Sequence, residues 1–327
     1  PRPARAGRSR SRARPGGYRE PPMGEERRYE VGGGVTLCAQ AFGDPADPPV
    51  LLVMGLGMQM ICWPDGFVER LVARGLHVVR FDNRDVGRST FCDDVPLPTL
   101  RQLALRRFSP RQYTLADMAR DTAGLIDAMG LGGGSVHVVG ASMGGMIAQT
   151  LTILHPRKVR SLTSIMSNTG ARWSGQPALH TYPLLLRRAP DDRAGRIAHA
   201  VAVFRAIGTP GTPLDDVREL AERAYERNPR RSGTARQLAA ILASGDRTAA
   251  LRRVRTPTLV IHGDADRLVA VSGGRATARA IPDAELLILP GMGHDLPRDR
   301  WPEITDAIAR HVAAAEDALG APTAVGG

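Results

Sequence analysis

Val136-His137-Val138-Val139-Gly140-Ala141-Ser142-Met143-Gly144-Gly145 opens with a valine-rich run and contains G-x-S-x-G at 140–144, followed by an apolar stretch at helical spacing through Leu154. The run reads as a strand buried on both faces, as in a parallel sheet. The glycines say how the strand becomes a helix. A turn within one residue holds Ser142 in a strained backbone conformation, and strand and helix then approach so closely that a Cβ at 140 or 144 would clash. Ser142 is left proud at the carboxyl end of the sheet, where open α/β sheets bind ligands. The helix from Met143 aims its free N–H groups and positive dipole end at the same point. A phosphate-binding turn would need a lysine after the glycines or G-x-G-x-x-G spacing, and neither is present.

Outward from this segment, further apolar runs mark core strands at Val50 to Met54, Leu76 to Phe81, Val159 to Met166, Thr258 to Ile261 and Glu285 to Leu289. Arg28 to Ala41 alternates around Gly32-Gly33-Gly34 as a hairpin does. Helical spacing marks Phe67 to Ala73, Leu115 to Met129 and Pro302 to Ala318, with Thr114 and Asp117 as an N-terminal cap of the second. Strands alternating with helices imply parallel βαβ units with right-handed crossovers. The alternation stops between residues 170 and 255, where helix follows helix. The expected organisation is therefore a leader at 1–22, an α/β core at 23–169 and 256–319, a helical cap at 170–255 inserted between two late strands, and a flexible tail at 320–327.

The chain has 327 residues, 43% of them hydrophobic, enough for a full core. No apolar run reaches the roughly 18 residues that span a bilayer, so no membrane partner is expected. The net charge of +11 raises the question of nucleic acid. Residues 1–22 alone carry seven arginines and one glutamate, which accounts for six of those charges. The remaining arginines alternate with acids and alanines, as solvated helix faces do, and no nucleic-acid partner is expected. The leader lacks the apolar segment of a secretory signal. Cys38, Cys62 and Cys92 form no C-x-x-C pair, and an odd count suits a reducing cytoplasm.

A serine hydroxyl needs a base. Of the eight histidines, His294 in Gly291-Met292-Gly293-His294-Asp295 lies on a glycine-bounded loop just past the last core strand. His137 and His77 sit in strands and read as packed structural residues. The acid that orients the base must come from a neighbouring strand end, and Gly263-Asp264-Ala265-Asp266 offers two, with Asp266 further into the turn. An oxyanion needs two N–H donors. Met143 N–H follows the nucleophile directly, and Gly55-Leu56-Gly57 after the first core strand supplies Leu56 N–H, with Gly57 as alternate.

The segments VMGLG (53–57), CWPDGF (62–67), FDNRDVGRST (81–90), VVGASMGG (138–145), VIHGDADRLV (260–269) and GMGHDLP (291–297) together resemble α/β-hydrolases of the aclacinomycin methylesterase type. The resemblance runs from about Tyr29 to Val312. It implies the α/β-hydrolase fold, a mostly parallel sheet with flanking helices, and it places the family acid of G-x-x-D on Asp266. Ser142, Asp266, His294 is then the chain order of that superfamily. Many members have His-Gly where this chain has Met54-Gly55, a change that spares the backbone donor. The resemblance implies a serine hydrolase acting on a small-molecule carboxylic ester, including a methyl ester on a bulky natural product. It implies no metal and no cofactor. The same three groups also serve cofactor-free haloperoxidases or perhydrolases and C–C or amide hydrolases. Haloalkane dehalogenase and epoxide hydrolase chemistry needs a carboxylate at position 142.

Overall fold

Strands form where apolar residues run unbroken because both sheet faces are covered by helices. The computed structural model describes residues 24–183, 187, 190–230 and 232–320. The Arg-rich leader and all but the first residue of the expected tail lie outside them. Eight strands make one sheet: β1 (Arg27–Gly32), β2 (Val35–Phe42), β3 (Pro49–Val53), β4 (His77–Phe81), β5 (Val136–Ala141), β6 (Val159–Ile165), β7 (Thr258–Gly263) and β8 (Glu285–Leu289). Their spatial order is β1-β2-β4-β3-β5-β6-β7-β8. The β1–β2 hairpin and the β2–β4 pair are antiparallel. From β4 to β8 every pair is parallel.

The helices are α1 (Asp65–Val72), α2 (Leu100–Leu105), α3 (Leu115–Ala128), α4 (Met143–Leu154), α5 (Arg193–Ile207), α6 (Leu214–Arg227), α7 (Ser232–Ser244), α8 (Thr248–Leu251), α9 (Ser272–Ala280) and α10 (Trp301–Gly320). Alternate strand residues divide the core between the faces, as a two-residue period requires. Leu51, Val53 and Val138 join α3 and α4, while Val50, Leu52 and Val139 join α1 and α10. On the second face Trp63, Phe67 and Trp301 form an aromatic chain, with centroids 5.5 and 6.3 Å apart. At the start of α3 the Asp117 carboxylate accepts the Thr114 N–H at 2.8 Å, the cap expected there. No helix of the described residues is long and apolar enough to cross a membrane.

Register sets the functional edge. Val53 pairs with Gly140, Ala141 with Ile165, Ile165 with Ile261, and Gly263 with Leu289. The carboxyl ends of β3, β5, β7 and β8 are therefore level, and the loops that leave them emerge side by side.

The β6–β7 connection contains α5 to α8 and, among its described residues, no strand. Two arginines fasten it to the loop after β4. Arg227 at the end of α6 pairs with fully buried Asp82 at 2.7 Å. Arg236 in α7 grips Asp85 with two bonds of 2.8 and 2.7 Å, and Asp85 also accepts the Tyr113 hydroxyl at 2.8 Å and the Cys92 N–H at 2.9 Å. The expectation that the arginines outside the leader line solvated faces fails here. Arg80, Arg236 and Arg247 are buried and Arg227 nearly so. The acids paired with Arg227 and Arg236 stand far off in the chain, so local charge alternation could not reveal the pairing.

Arg236→Ala leaves the Asp85 carboxylate, 1% exposed, without its counter-ion. Breaking such a pair from one side costs roughly 3–5 kcal/mol, whereas an exposed pair is worth at most about 1. Urea unfolding should show a loss in the larger range, and a loss within the exposed-pair range would show that Asp85 does not depend on Arg236.

Candidate active site

The turn from β5 into α4 is as tight as its glycines imply. A Cβ on Gly140 would sit 2.2 Å from the Gly144 carbonyl oxygen, and one on Gly144 would sit 2.0 Å from that of Val53. Ser142 has φ 55° and ψ −120°, outside the regions open to most L-residues. Strain of this kind costs about 1–3 kcal/mol and persists only where the surroundings over-determine it. Here the Ser142 N–H donates to the Ile165 carbonyl at 2.9 Å, and its carbonyl accepts from Ser167 Oγ at 2.8 Å and from the Gly145 N–H at 3.0 Å.

Three side chains from three loops meet at this point. The Ser142 hydroxyl lies 3.0 Å from His294 Nε2, and His294 Nδ1 lies 2.7 Å from Asp266 Oδ2. With Nδ1–H donating to the carboxylate, Nε2 carries the lone pair that faces the serine, the tautomer a base requires. The other carboxylate oxygen accepts the Leu268 and Val269 N–H groups at 2.9 and 2.8 Å, so the carboxylate is anchored from behind. Asp264 is occupied elsewhere: its Oδ1 accepts the Gly291 N–H at 2.7 Å and ties the β7 loop to the β8 loop. Spacing left the two aspartates open, and the geometry separates them.

Burial pushes the Asp266 carboxyl up, but the adjacent His294, the His262 and His294 hydrogen bonds and the Val269 N–H outweigh it, leaving the group at about 2. His262 enters through its Nε2, 2.8 Å from the Val269 carbonyl and 3.5 Å from Asp266 Oδ2. The sequence reading did not assign His262 a role. Its position four residues before Asp266, at the mouth of β7, is the signal that was available. His137 is fully buried, its Nδ1 2.8 Å from Ser161 Oγ and its Nε2 3.0 Å from Glu316, and burial drives it down to about 4. It lies within β5, as its sequence position implied.

The His294 loop is held from the β6–β7 connection. The His294 N–H donates to the Ile207 carbonyl at 2.8 Å and the Gly293 N–H to Thr209 Oγ1 at 2.9 Å. Asp295 closes the clamp by accepting the Thr209 N–H and hydroxyl at 2.9 and 2.6 Å and the Thr212 hydroxyl at 3.2 Å.

Opposite the serine stands the loop after β3. A Cβ on Gly55 would lie 3.2 Å from the Ser142 Cβ, so the backbone of this loop passes close beside the serine. Gly57 N–H is already committed to Gln237 Oε1 at 2.7 Å, which removes the alternate donor. Met143, first residue of α4, has an N–H with no intrahelical acceptor. A separate groove bordered by Glu26, Arg28, Arg88 and Arg230 includes none of these residues.

Residues 48–299 match the family described as the alpha/beta hydrolase fold. The chain is 30% identical to the rhodomycin D methylesterase of Streptomyces peucetius over 86% of its own length and 96% of that protein. It is also 30% identical to the rhodomycin D methylesterase of Streptomyces sp. strain C5, with the same coverage. Among solved structures, the 2-hydroxy-6-oxo-6-phenylhexa-2,4-dienoate hydrolase from Rhodococcus sp. superposes with a TM-score of 0.68 at 19% identity, over 88% of this chain and 98% of that one. That likeness speaks for the fold. The chain belongs to the α/β-hydrolase fold family and, within it, resembles the methylesterases.

Proposed function

We propose that the protein hydrolyses a carboxylic ester through an acyl-enzyme, with Ser142 as nucleophile, His294 as base and Asp266 as the group that orients it. The observation that carries this reading is the continuous chain from Ser142 Oγ to His294 at 3.0 Å and on to Asp266 at 2.7 Å. His294 Nε2 takes the hydroxyl proton as Oγ attacks the carbonyl carbon. The Leu56 and Met143 N–H groups hold the developing oxyanion, and losing one such donor costs about 3 kcal/mol. Imidazolium then protonates the leaving alkoxide. Water, deprotonated by the same nitrogen, attacks the acyl-enzyme and releases the acid and Ser142.

The two methylesterase relatives support a methyl ester on a bulky natural product as the substrate. Residues 170–255 would act as the cap that shapes its pocket. The three cysteines, all unpaired, support a cytoplasmic setting.

The test is methanol release from a panel of methyl esters of polycyclic acids, run beside a short p-nitrophenyl ester and a peroxide-plus-acetate halogenation assay. Turnover of at least one methyl ester, lost in Ser142→Ala, supports the reading. Halogenation without ester cleavage would replace it.

A further inference from the structure

The loop that carries Leu56 N–H is held by a residue on α7. Gly55 to Met58 close a turn in which the Met58 N–H donates to the Gly55 carbonyl at 3.3 Å and Gly57 has φ +68°. Leu56 has no positive φ, so the turn is type II, a form that needs φ above zero only at its third residue. Types I and II differ by rotation of the central peptide, here the one joining Leu56 and Gly57. Gln237 fixes that peptide. It is fully buried, its Oε1 accepts the Gly57 N–H at 2.7 Å, and its Nε2 donates to the Arg84 carbonyl at 2.7 Å. Both ends of the amide are used, so it has one satisfied orientation. Its neighbour Arg236 is clamped to Asp85, one residue past Arg84, so α7 and the β4 loop hold the amide together.

We propose that Gln237 is a positioning residue for the oxyanion hole: it draws the Gly57 N–H away from the substrate and locks the turn that presents Leu56 N–H to the oxyanion. This rests on the assignment of Leu56 and Met143 as donors under the proposed function. Preorganised donors accelerate because they need not reorganise as charge develops. Losing the Gly57 anchor frees the turn, including the preceding Gly55–Leu56 peptide that carries the donor, returns that reorganisation to the transition state and leaves ground-state binding almost untouched. The loss should therefore fall on kcat.

The experiment compares the parent, Gln237→Leu, Gln237→Glu and Ser142→Ala on a short p-nitrophenyl ester, with active sites counted by a fluorophosphonate probe. Gln237→Leu should lower kcat per active site roughly 10- to 100-fold, with KM within about threefold. Its affinity for a boronic acid that mimics the tetrahedral intermediate should fall by the same factor. Gln237→Glu, when protonated, offers the same acceptor and donor, so its kcat relative to the parent at the same pH should rise as pH falls.

Parental kcat and boronate affinity in Gln237→Leu overturn the proposal, as does a loss explained entirely by fewer titratable sites. If Gln237→Leu does not fold, Gln237→Glu decides: a kcat that approaches the parent's at the same pH as pH falls supports positioning, and a ratio that stays flat, or failure of both to fold, overturns it. Ser142→Ala separates the two levels. A silent Ser142→Ala beside an unaffected Gln237→Leu removes only this proposal, and an active Ser142→Ala removes the underlying reading with it.

Discussion

Ser142→Ala should fold like the parent and hydrolyse a short p-nitrophenyl ester about 10⁶-fold more slowly, the scale of loss seen when an acyl-enzyme nucleophile of this kind is removed. The substitution deletes one oxygen. Alanine keeps the Cβ, so the strain at φ 55° is the same in both proteins, and the backbone bonds to Ile165, Gly145 and Ser167 persist. The only side-chain bond lost is the one to His294 at 3.0 Å. The thermal midpoint should therefore stay within a few degrees of the parent while fluorophosphonate labelling disappears. Substrate binding and the proposed donors at Leu56 and Met143 remain, so the surviving rate measures what positioning alone contributes. A variant that keeps a tenth of parental kcat removes Ser142 from the nucleophile's role and leaves the clustered side chains unexplained.

How much of this was legible beforehand depended on how local each feature is. The inner strands β3 to β7 were readable because burial on both faces demands unbroken apolar runs, and the edge strand β8 carries such a run although most of it is not buried. The elbow was readable because only glycine tolerates carbonyl oxygens 2.0–2.2 Å from where a Cβ would stand. Helix α9 went unread. Its sequence, Ser272-Gly273-Gly274-Arg275-Ala276-Thr277-Ala278-Arg279-Ala280, has two glycines and no large apolar residue, and it is helical through packing against β7 and β8. The short α2 also went unread. It buries none of its residues and so has no core stripe to betray it.

Features made by distant partners were the least legible. The FDNRDVGRST segment stood out as a mark of resemblance, but its physical work is to hold α6 and α7 through Asp82 and Asp85. The arginines that complete those pairs lie about 150 positions further along the chain and look locally like any solvated residue. Gln237 is hidden in the same way, since a polar residue on an amphipathic helix usually faces water. The β6–β7 connection thus touches the proposed site twice, through Gln237 at the Gly55–Met58 turn and through Ile207 and Thr209 at the His294 loop. Swinging that connection away as a rigid body would break both contacts.

Asp266→Asn should leave the site's shape intact and lower kcat about 10⁴-fold, the loss reported when the orienting aspartate of a serine protease is made asparagine. The local bonds dictate how the amide settles. Oδ1 accepts two backbone N–H groups, from Leu268 and Val269, and only the amide oxygen can take that place. The NH₂ is then directed at His294 Nδ1, where the carboxylate oxygen stood at 2.7 Å. An NH₂ donates, so Nδ1 must accept, and the single proton of the neutral ring moves to Nε2. Nε2–H now faces Ser142 and cannot take its proton. KM should change little, and fluorophosphonate labelling should slow in step with kcat. Stability provides a second, pH-resolved check. The folded carboxyl lies at about 2, below its ordinary value of about 4. A depressed carboxyl contributes stability that is complete above the unfolded value and lost as pH falls through the folded one. The gap in stability between parent and Asp266→Asn should therefore be widest above about pH 4 and close on acidification toward pH 2. A gap that widened with acid would mean that the Asp266 carboxylate is not held by the imidazole.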